Sequence, residues 1–392
     1  QTPLSHINLK ARQNDTPNAY VQDAGKHPDI APYIGQNVYY RVGVDGFEIR
    51  PATDAEVDAH FEAIRPSEEQ IPIRNLEVTE IAPLSDIRFA NANAYGSKAA
   101  NVAELRRILG DVAPDGVAIP FYFYDEFMKH NGFYDLAEAM MADPTFQAVP
   151  AVRETRLKAF RDQIKDFGVL PQWMMDALAT MHASFPADTS LRSRSSTNNE
   201  DLEGFNGAGL YESYTHHPHE GHFAKTAKQV WAGLWTYRAF EEREFWRIDH
   251  LTASMGILVH PNYSDELANG VGVTKNIYIP GPGWDGHYVN VQVGENLVTN
   301  PPPGSIPEEF VIANLSFGAE YEIQYIRRSN LVPEGETVLS REQALELKDA
   351  MNTIHNYFRG LYGNPPNYAM ELEFKIDSAG KLAIKQARPW VE

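Results

Sequence analysis

The segment that most constrains the fold lies near the C-terminal end, where two stretches alternate regularly in side-chain character. Residues 369–376 and 382–387 carry the period-two pattern of β-strands, and the Asp-Ser-Ala-Gly sequence at 377–380 is typical of a turn. This pattern predicts an antiparallel hairpin. Helical periodicity occurs at residues 98–109, 222–248 and 341–361. We therefore expect an α+β fold with antiparallel pairing.

Polar side chains share one face of this predicted hairpin. Glu371 and Glu373 lie on one side of the first strand by period two, and Gln386 and Arg388 lie on one side of the second. A four-residue turn places Glu371 opposite Gln386 and Glu373 diagonal to it. Oxygen ligands on adjacent strands suit Mg²⁺, which binds together with phosphates, and Arg388 is placed to meet such a phosphate. A solvated sheet face with a cross-strand ion pair fits the same residues equally well.

The start of the first predicted helix is a second candidate site. The sequence Tyr95-Gly96-Ser97-Lys98 stands directly before the apolar face of that helix. Glycine allows close backbone approach, the helix N-terminus offers free N–H groups, and Lys98 adds a positive charge, so the combination suits an anionic phosphate. An ordinary helix start with an exposed lysine is the commoner explanation of such a sequence.

A polar stretch at residues 192–202 combines Arg192 and Arg194 with four hydroxyl side chains, and a glycine-rich stretch follows at 205–209. We interpret it as one loop that can donate many hydrogen bonds to a polyphosphate, with arginine binding in a bidentate manner. A bland polar loop is the alternative. No G-x-x-x-x-G-K-[ST] motif occurs in the sequence, which excludes a P-loop.

Composition narrows the classes of partner. The net charge of −19, from 53 acidic and 34 basic side chains, repels nucleic acid and anionic membranes, so neither is expected as a partner. The absence of cysteine excludes disulfides, thiolate metal sites and thiol catalysis, and it fits a cytoplasmic location. The sequence begins with Gln1 and lacks a signal-like start, so we expect a piece of a longer chain whose other domains are partners.

Three weaker candidates remain. Arg238 follows an aromatic-rich helical stretch whose rings are expected in the core, so Arg238 is a secondary candidate only. The histidines of residues 216–222 are interpreted as a surface loop rather than a metal site. His6 precedes a short amphipathic helix with nearby cations, and a histidine so placed can accept a phosphoryl group, although a lone histidine is usually structural.

Taken together and in order, these motifs resemble the dikinase family that includes phosphoenolpyruvate synthase, pyruvate phosphate dikinase and the glucan water dikinases. After the glycine-lysine helix start, an R-S-S-x-x-x-E-D-L pattern is matched at residues 194–202, and W-x-S-x-x-x-x-R-A is matched in part at 231–239. G-E-x-x-V occurs at 294–298, and the closing acidic and Q-x-R-P elements occur at 371–389. The resemblance covers nearly all of residues 94–392.

The sequence departs from the family pattern at three places. Glu371 stands where the family has Asp, which keeps the charge on a longer arm. Leu-Val-His-Pro at residues 258–261 replaces a V-Q-x-M element near the adenine, so base affinity or selectivity can differ. Lys275-Asn276 replaces Arg-Asp. None of these changes removes a phosphate or metal contact, so we expect ATP binding to be kept.

The resemblance implies an ATP-grasp type nucleotide-binding domain at residues 91–392. Residues 1–53 would be the C-terminal part of a phosphohistidine swivelling domain, and residues 54–90 a linker. His6 falls in the segment similar to the phosphohistidine segment of the family, which implies that it takes the β-phosphoryl group of ATP. The histidine segment precedes the ATP domain, as in the glucan water dikinases, so the acceptor that receives the group can be a carbohydrate.

The resemblance also assigns ligand roles. The residues implied in catalysis are His6, Arg194 and Arg388. Those implied in nucleotide binding are Lys98, Arg194, Arg238, Glu295, Glu373, Gln386 and Arg388, and those implied in Mg²⁺ binding are Glu373 and Gln386. The expected cofactors are thus ATP and Mg²⁺, with an unidentified phosphoryl acceptor. The alternatives are pyruvate or an antibiotic hydroxyl as acceptor, or a module that senses ATP without turning it over.

Overall fold

A computed structural model describes residues 16–390 except for positions 44, 201, 203–204, 206, 208, 279–284, 297, 299–300, 303 and 315–320. The α-helices formed by the described residues are α1 (Asp54–Ile64), α2 (Ala92–Tyr95), α3 (Ser97–Leu109), α4 (Phe121–His130), α5 (Phe133–Met141), α6 (Pro144–Ala148), α7 (Pro150–Asp162), α8 (Gln172–Ala183), α9 (Ala224–Ala232), α10 (Tyr237–Phe245) and α11 (Arg341–Leu361). Over the part of the chain that is described, no helix is both long and apolar enough to cross a bilayer.

The strands form one hairpin and two larger sheets. They are β1 (Val38–Gly43), β2 (Gly46–Pro51), β3 (Ala82–Pro83), β4 (Val117–Ile119), β5 (Leu191–Thr197), β6 (Tyr214–His216), β7 (Met255–Pro261), β8 (Ala268–Val273), β9 (Gly286–Val293), β10 (Glu308–Asn314), β11 (Tyr321–Arg327), β12 (Met370–Ile376) and β13 (Leu382–Pro389). Strands β1 and β2 form the hairpin; the five-stranded sheet has the order β3-β4-β7-β5-β6, and the six-stranded sheet has the order β11-β10-β9-β8-β12-β13. The named strands pair in antiparallel fashion, which confirms the mixed α and β prediction.

The two faces of the five-stranded sheet are covered differently. Ile257 and Val259 of β7 point into a large core that also contains Trp231, Trp235 and Phe127. On the opposite face, the alternate residue Leu258 packs in a smaller core with the alanine-rich start of α3. The alanines allow the helix to lie close to the sheet.

Helix α3 also belongs to the core of the six-stranded sheet. Leu105 packs with residues of that sheet and of α11, whereas Val102, one turn earlier, packs in the core beside the five-stranded sheet. Asn101 Nδ2 donates to the carbonyl oxygen of Ala387 in β13 at 3.3 Å and to the hydroxyl of Tyr362 at 3.1 Å. The first turn of α3 therefore lies where the two sheets meet.

Two of the predicted elements differ in the structure. The single helix predicted at residues 222–248 is two helices, α9 and α10, because Thr236 adopts an extended backbone conformation and its hydroxyl caps the second helix by accepting from Ala239 N at 3.2 Å. The stretch at 192–202 was predicted as a loop, yet residues 191–197 form β5 inside the sheet. Its serines are fully buried between strands and helices, and their small polar side chains conceal a strand from a hydropathy pattern.

Much of the predicted linker lies against the larger region. Arg74 Nη1 lies 3.2 Å from Asp125 Oδ1, and Asp125 is 0% exposed. Leu84 and Ile87 are buried with α3, and β3 forms an edge of the five-stranded sheet. These contacts hold the second half of this segment in place, while the domain boundary itself stays a prediction.

Candidate nucleotide-binding site

The start of helix α3 packs directly on β5. Gly96 has φ +85°, and a Cβ at this position would lie 2.3 Å from Ser196 Oγ and 2.4 Å from the Ser196 carbonyl carbon. Ala99 N donates to Ser196 Oγ at 3.0 Å. Glycine is thus required here both by its backbone conformation and by the close approach.

This packing places Lys98 in the interior rather than on the surface. Its side chain is 12% exposed, Nζ donates to the Ser195 carbonyl oxygen at 2.6 Å, and Glu200 Oε1 lies 3.3 Å away. Burial lowers the pKa of Lys98, and the nearby Glu200 carboxylate opposes that change. An ordinary exposed lysine at a helix start does not describe this residue.

Arg194 of β5 connects the two sheets. Its Nη1 donates to the Lys385 carbonyl oxygen of β13 at 2.9 Å, its Nη2 donates to Gln386 Oε1, and its Nη2 also lies 3.5 Å from Glu373 Oε2. Arg194 is 8% exposed. A planar guanidinium suits this bridging position because it can donate in two directions at once.

The register of the C-terminal hairpin differs from the prediction. Ile376 pairs with Leu382, because Asp377 closes a five-residue connection by accepting at Oδ1 from Lys381 N at 2.8 Å. A β-bulge next to Glu373 then shifts the register once more, so that Glu373 lies directly opposite Gln386 and not diagonal to it.

The same shift pairs Glu371 with Arg388 instead of Gln386. Arg388 Nε and Nη2 donate to Glu371 Oε2 at 2.9 and 2.7 Å. The cross-strand ion pair that the sequence left as an alternative is therefore present in the hairpin. The same bulge brings the Lys385 ammonium to 3.6 Å from Glu373 Oε2.

A cavity of about 460 Å³ opens beside this cluster, between β5 and β7 of one sheet and β8, β12 and β13 of the other. Its lining contains four cationic, three acidic and six neutral polar side chains, namely Arg192, Arg194, Lys375, Lys385, Glu266, Glu295, Glu373, Ser213, Thr215, His260, Asn262, Tyr263 and Asn269. The concentration of cations is local, since the chain as a whole carries a net charge of −19.

The charged groups at the cavity change one another's pKa values. Burial alone raises the pKa of Glu373, but the charges of Lys385, Arg194, Arg388 and Lys98 outweigh it and lower the value to about 2. Burial and the neighbouring cations lower the pKa of Lys375 to about 8. Glu373 is therefore a permanent carboxylate near neutral pH, and the surplus of positive charge around it favours an anionic ligand.

The family model that describes the pyruvate phosphate dikinase AMP/ATP-binding domain matches residues 92–392. This chain belongs to that family. The matched region contains both large sheets except for β3, and it contains the whole cavity described above.

Curated relatives of the chain are more distant. Phosphoenolpyruvate synthase of Aeropyrum pernix is 26% identical over 169 residues, which is 42% of this chain and 20% of that protein. Rifampicin phosphotransferase of a Streptomyces species is 26% identical over 185 residues, covering 46% of this chain and 20% of the relative. The uncharacterized phosphotransferase YvkC of Bacillus subtilis is 24% identical over 308 residues, which is 75% of this chain and 33% of the relative. The chain thus spans between a fifth and a third of the length of these relatives.

Among solved structures, D-alanyl-alanine synthetase A of Vibrio cholerae aligns with 55% of this chain and 46% of its own, at 13% identity and a TM-score of 0.23. That likeness is too weak to bear on fold or function. The ATP-grasp assignment for this family member stays a prediction, while the mixed helix and sheet architecture and the AMP/ATP-binding family are findings.

The positions of Glu373 and Gln386 fit a Mg²⁺ ion that is held partly by a nucleotide. An ionised carboxylate faces an amide oxygen across the hairpin, which gives two oxygen ligands of the kind Mg²⁺ prefers. Within the described ranges, no group of three or more His, Asp or Glu side chains is arranged to hold a metal ion. Phosphate oxygens and water would therefore complete the coordination.

The predicted residues do not all meet at this cavity. Lys98, Arg194, Glu373, Gln386 and Arg388 form one cluster, and Glu295 lines the cavity beside it. His6 lies outside the described residues.

Arg238 does not join them. It is exposed on α10 and lines a separate cavity with Phe61, Tyr237 and Phe245, because the helix break at Thr236 points this part of the chain elsewhere. The position of Arg238 therefore gives no support to its predicted contact with nucleotide.

Sequence reasoning assigned no role to Lys385, and it considered His260 only as part of the departure at residues 258–261 that can change base affinity or selectivity. Lys385 is directed by the bulge, and a period-two pattern does not reveal a bulge. His260 lies opposite Arg192 on β7 and β5, so its position depends on a strand pairing that the loop interpretation of residues 192–202 excluded. The departure from the family pattern at residues 258–261 was the available signal.

Proposed function

We propose that this chain binds Mg-ATP in the cavity between its two sheets and is the nucleotide-binding part of an ATP-dependent dikinase. The observation that carries the proposal is the bridge formed by Arg194, which joins β5 to Glu373 and Gln386 of the hairpin. Around it, Lys98, Lys385 and Arg388 supply three further positive charges close to one carboxylate. Such clusters are suited to phosphates, because the chain is otherwise strongly acidic.

In this proposal the protein positions the phosphates and neutralises their charge. Lys98, Arg194 and Arg388 would bind phosphate oxygens, and each would exchange a contact with a protein oxygen for one with the nucleotide. Glu373 and Gln386 would hold Mg²⁺, which when bound neutralises charge on the phosphates. Positioning and electrostatic stabilisation supply most of the rate in phosphoryl transfer.

The proposed acceptor of the phosphoryl group is His6, on the strength of the family resemblance. An imidazole nitrogen of His6 would form a bond to the β-phosphorus of ATP. The bond between the β-phosphorus and the α,β-bridging oxygen would break, and AMP would leave with that oxygen. Water then releases the γ-phosphate as inorganic phosphate, and the β-phosphoryl group stays on the histidine. The order of the segments favours a glucan as the final acceptor, with pyruvate or rifampicin as alternatives suggested by the names of two relatives.

The first experiment measures ATP binding by this chain with two matched arginine variants. Arg194→Met should weaken binding of Mg-ATP about 10- to 100-fold, because charge-assisted hydrogen bonds are lost. Arg238→Met removes an exposed arginine that lines a separate cavity, and it should leave the affinity for Mg-ATP unchanged. Equal effects of the two substitutions, in variants shown to be folded by their unfolding curves, would remove the basis of the proposal.

Turnover is tested with the protein in the longest form in which it is encoded. ATP labelled at the β or the γ position is incubated with Mg²⁺, and acid-labile phosphohistidine is measured. Retention of β label and its loss in a His6→Ala variant would support the dikinase reaction. Binding of ATP without AMP formation would instead favour the sensing module.

A further inference from the structure

His260 is the most deeply buried polar side chain that lines the cavity. It is 1% exposed and lies on β7 directly opposite Arg192 of β5, while Leu258 lies opposite Arg194. Residues opposite each other in an antiparallel pair point to the same face, so His260 and the two arginines share the face of the sheet on which the cavity opens. Two residues along a strand correspond to about 7 Å, which places His260 beyond Arg194 toward the end of β7.

The hydrogen bonds of His260 fix which nitrogen carries the proton. Nδ1 lies 2.8 Å from the carbonyl oxygen of Pro261, which can only accept, so Nδ1 is the donor and Nε2 holds a lone pair. Nε2 is buried and has no hydrogen-bond partner among the residues described. Burial, aided by the charge of Arg194, lowers the pKa of His260 to about 3, so the imidazole stays neutral near pH 7.

The two arginines that share this face of the sheet already donate to protein oxygens. Arg192 Nη1 donates to Thr215 Oγ1 at 3.0 Å, and Arg194 donates to the Lys385 carbonyl oxygen and to Gln386. A buried acceptor without a partner is unfavourable, and such groups are rare unless a ligand or water completes them. The cavity therefore offers a neutral acceptor at one side of a cationic cluster.

The chemistry of a nucleoside triphosphate matches this arrangement. Its phosphates carry no N–H donor, so a donor for His260 has to come from the base or the sugar. Adenine presents an exocyclic amine as a donor, whereas guanine and hypoxanthine present an oxygen acceptor at the same ring position. Two acceptors facing each other repel, so a fixed acceptor at this point discriminates between these bases.

We infer that Nε2 of His260 accepts a hydrogen bond from the exocyclic amine of adenine and thereby selects ATP over purine triphosphates that lack it. This inference rests on the proposed ATP binding. Because the imidazole is 1% exposed and its bond to Pro261 holds it in place, contact requires a rotation of Tyr263, whose ring centroid lies 6.0 Å away. The hydrogen bond to the amine favours that rotation, and the same base without the amine does not.

The test compares ATP with purine riboside triphosphate, which differs only by the missing amine, in calorimetric titrations with Mg²⁺. The unsubstituted chain should bind ATP about tenfold more tightly than the analogue. His260→Leu should reduce this ratio to about one, mainly by weakening the binding of ATP, since leucine cannot accept the hydrogen bond from the amine. His260→Gln places an amide oxygen near the same position and should keep part of the preference.

His287→Leu is the matched control for removing a buried neutral imidazole. His287 is 6% exposed, lies on β9, and contacts Asn352 of α11 on the helix-covered side of the other sheet. The His287→Leu substitution should leave the ratio of the affinities for ATP and purine riboside triphosphate unchanged. Unfolding curves establish that each variant is folded, and the comparison of the two nucleotides on the unsubstituted chain does not depend on any variant.

The outcomes separate the inference from the function on which it rests. If no triphosphate binds, the proposed function fails and the inference fails with it. If ATP binds but the analogue binds equally well, or the tenfold ratio survives in His260→Leu, only the inference fails. A third outcome is that 2′-deoxyATP binds more weakly than ATP, that this difference disappears in His260→Leu, and that the amine-less analogue binds as tightly as ATP. That result would show that His260 accepts from the ribose hydroxyl, and it would overturn the role in base selection.

Discussion

Replacing Gly96 by alanine tests whether the close contact between α3 and β5 builds the phosphate side of the cavity. Gly96 has φ +85° and ψ 156°, a region that other residues avoid. Its new methyl group would lie 2.3 to 2.4 Å from Ser196 Oγ, C and O. Two of these atoms belong to the backbone of a central strand, so no side-chain rotation relieves the overlap.

Gly132 offers a matched control. It also has a positive φ, +65°, but nothing lies within 4 Å of the position that its Cβ would take. Gly132→Ala therefore bears only the left-handed backbone cost, about 1–2 kcal/mol. Gly96→Ala bears backbone strain of about 1–3 kcal/mol and a displacement of helix from strand of about 1–3 kcal/mol, or about 2–6 kcal/mol together.

Denaturant unfolding and ATP titration of both variants provide the assay. Gly96→Ala should lose more free energy of unfolding than Gly132→Ala, and its ATP affinity should fall because Lys98 lies in the first turn of the helix that Gly96 precedes. Gly132→Ala should bind ATP as the unsubstituted chain does. Equal losses of stability in the two variants, or a Gly96→Ala chain with normal ATP affinity, would refute the reasoning.

Three further predictions concern stability. Burial lowers the pKa of His287 from 6.5 to about 4, so the unfolded chain binds more protons than the folded chain between these pH values. The free energy of unfolding should therefore fall as the pH drops from 6.5 to 4. Urea unfolding of His287→Asn should show a smaller decline over this range. Thr236→Ala should cost about 1 kcal/mol by removing the cap of α10, and Thr236→Ser should cost little. Asp125→Asn should lower the free energy of unfolding by about 3 kcal/mol, because it breaks the ion pair between the buried Asp125 carboxylate and Arg74. Lys129→Met removes an exposed partner of the same carboxylate and should lower it by less than about 1 kcal/mol in the same assay.

Long periodic elements were predictable from the sequence, and local irregularities were not. Helix α11 was predicted at residues 341–361 and occurs there, because its apolar face repeats over several turns. The final hairpin was also correct as a pair of strands. Its register was wrong, since a five-residue connection and a bulge each shift it and neither leaves a signature in hydropathy.

The candidate site shows the same division. Arg194, Glu373 and Gln386 were singled out from charge and period two, and the structure brings them within contact distance. The position of Lys385 depends on the bulge in the hairpin, and that of His260 depends on which strand pairs with β5. Bulges and the pairing of distant strands carry little local sequence signal, so Lys385 became visible only with the register of β12 and β13, and His260 only with the pairing of β5 and β7.

Helix α3 also determines whether the two large sheets unfold together. Val102 and Leu105 belong to different cores, each associated with a different sheet. Neither core can lose its order without stripping one side of this helix and exposing apolar surface of the other. The two sheets should therefore melt in one cooperative transition, and a nucleotide that binds at the first turn of the helix should raise the melting temperature of both.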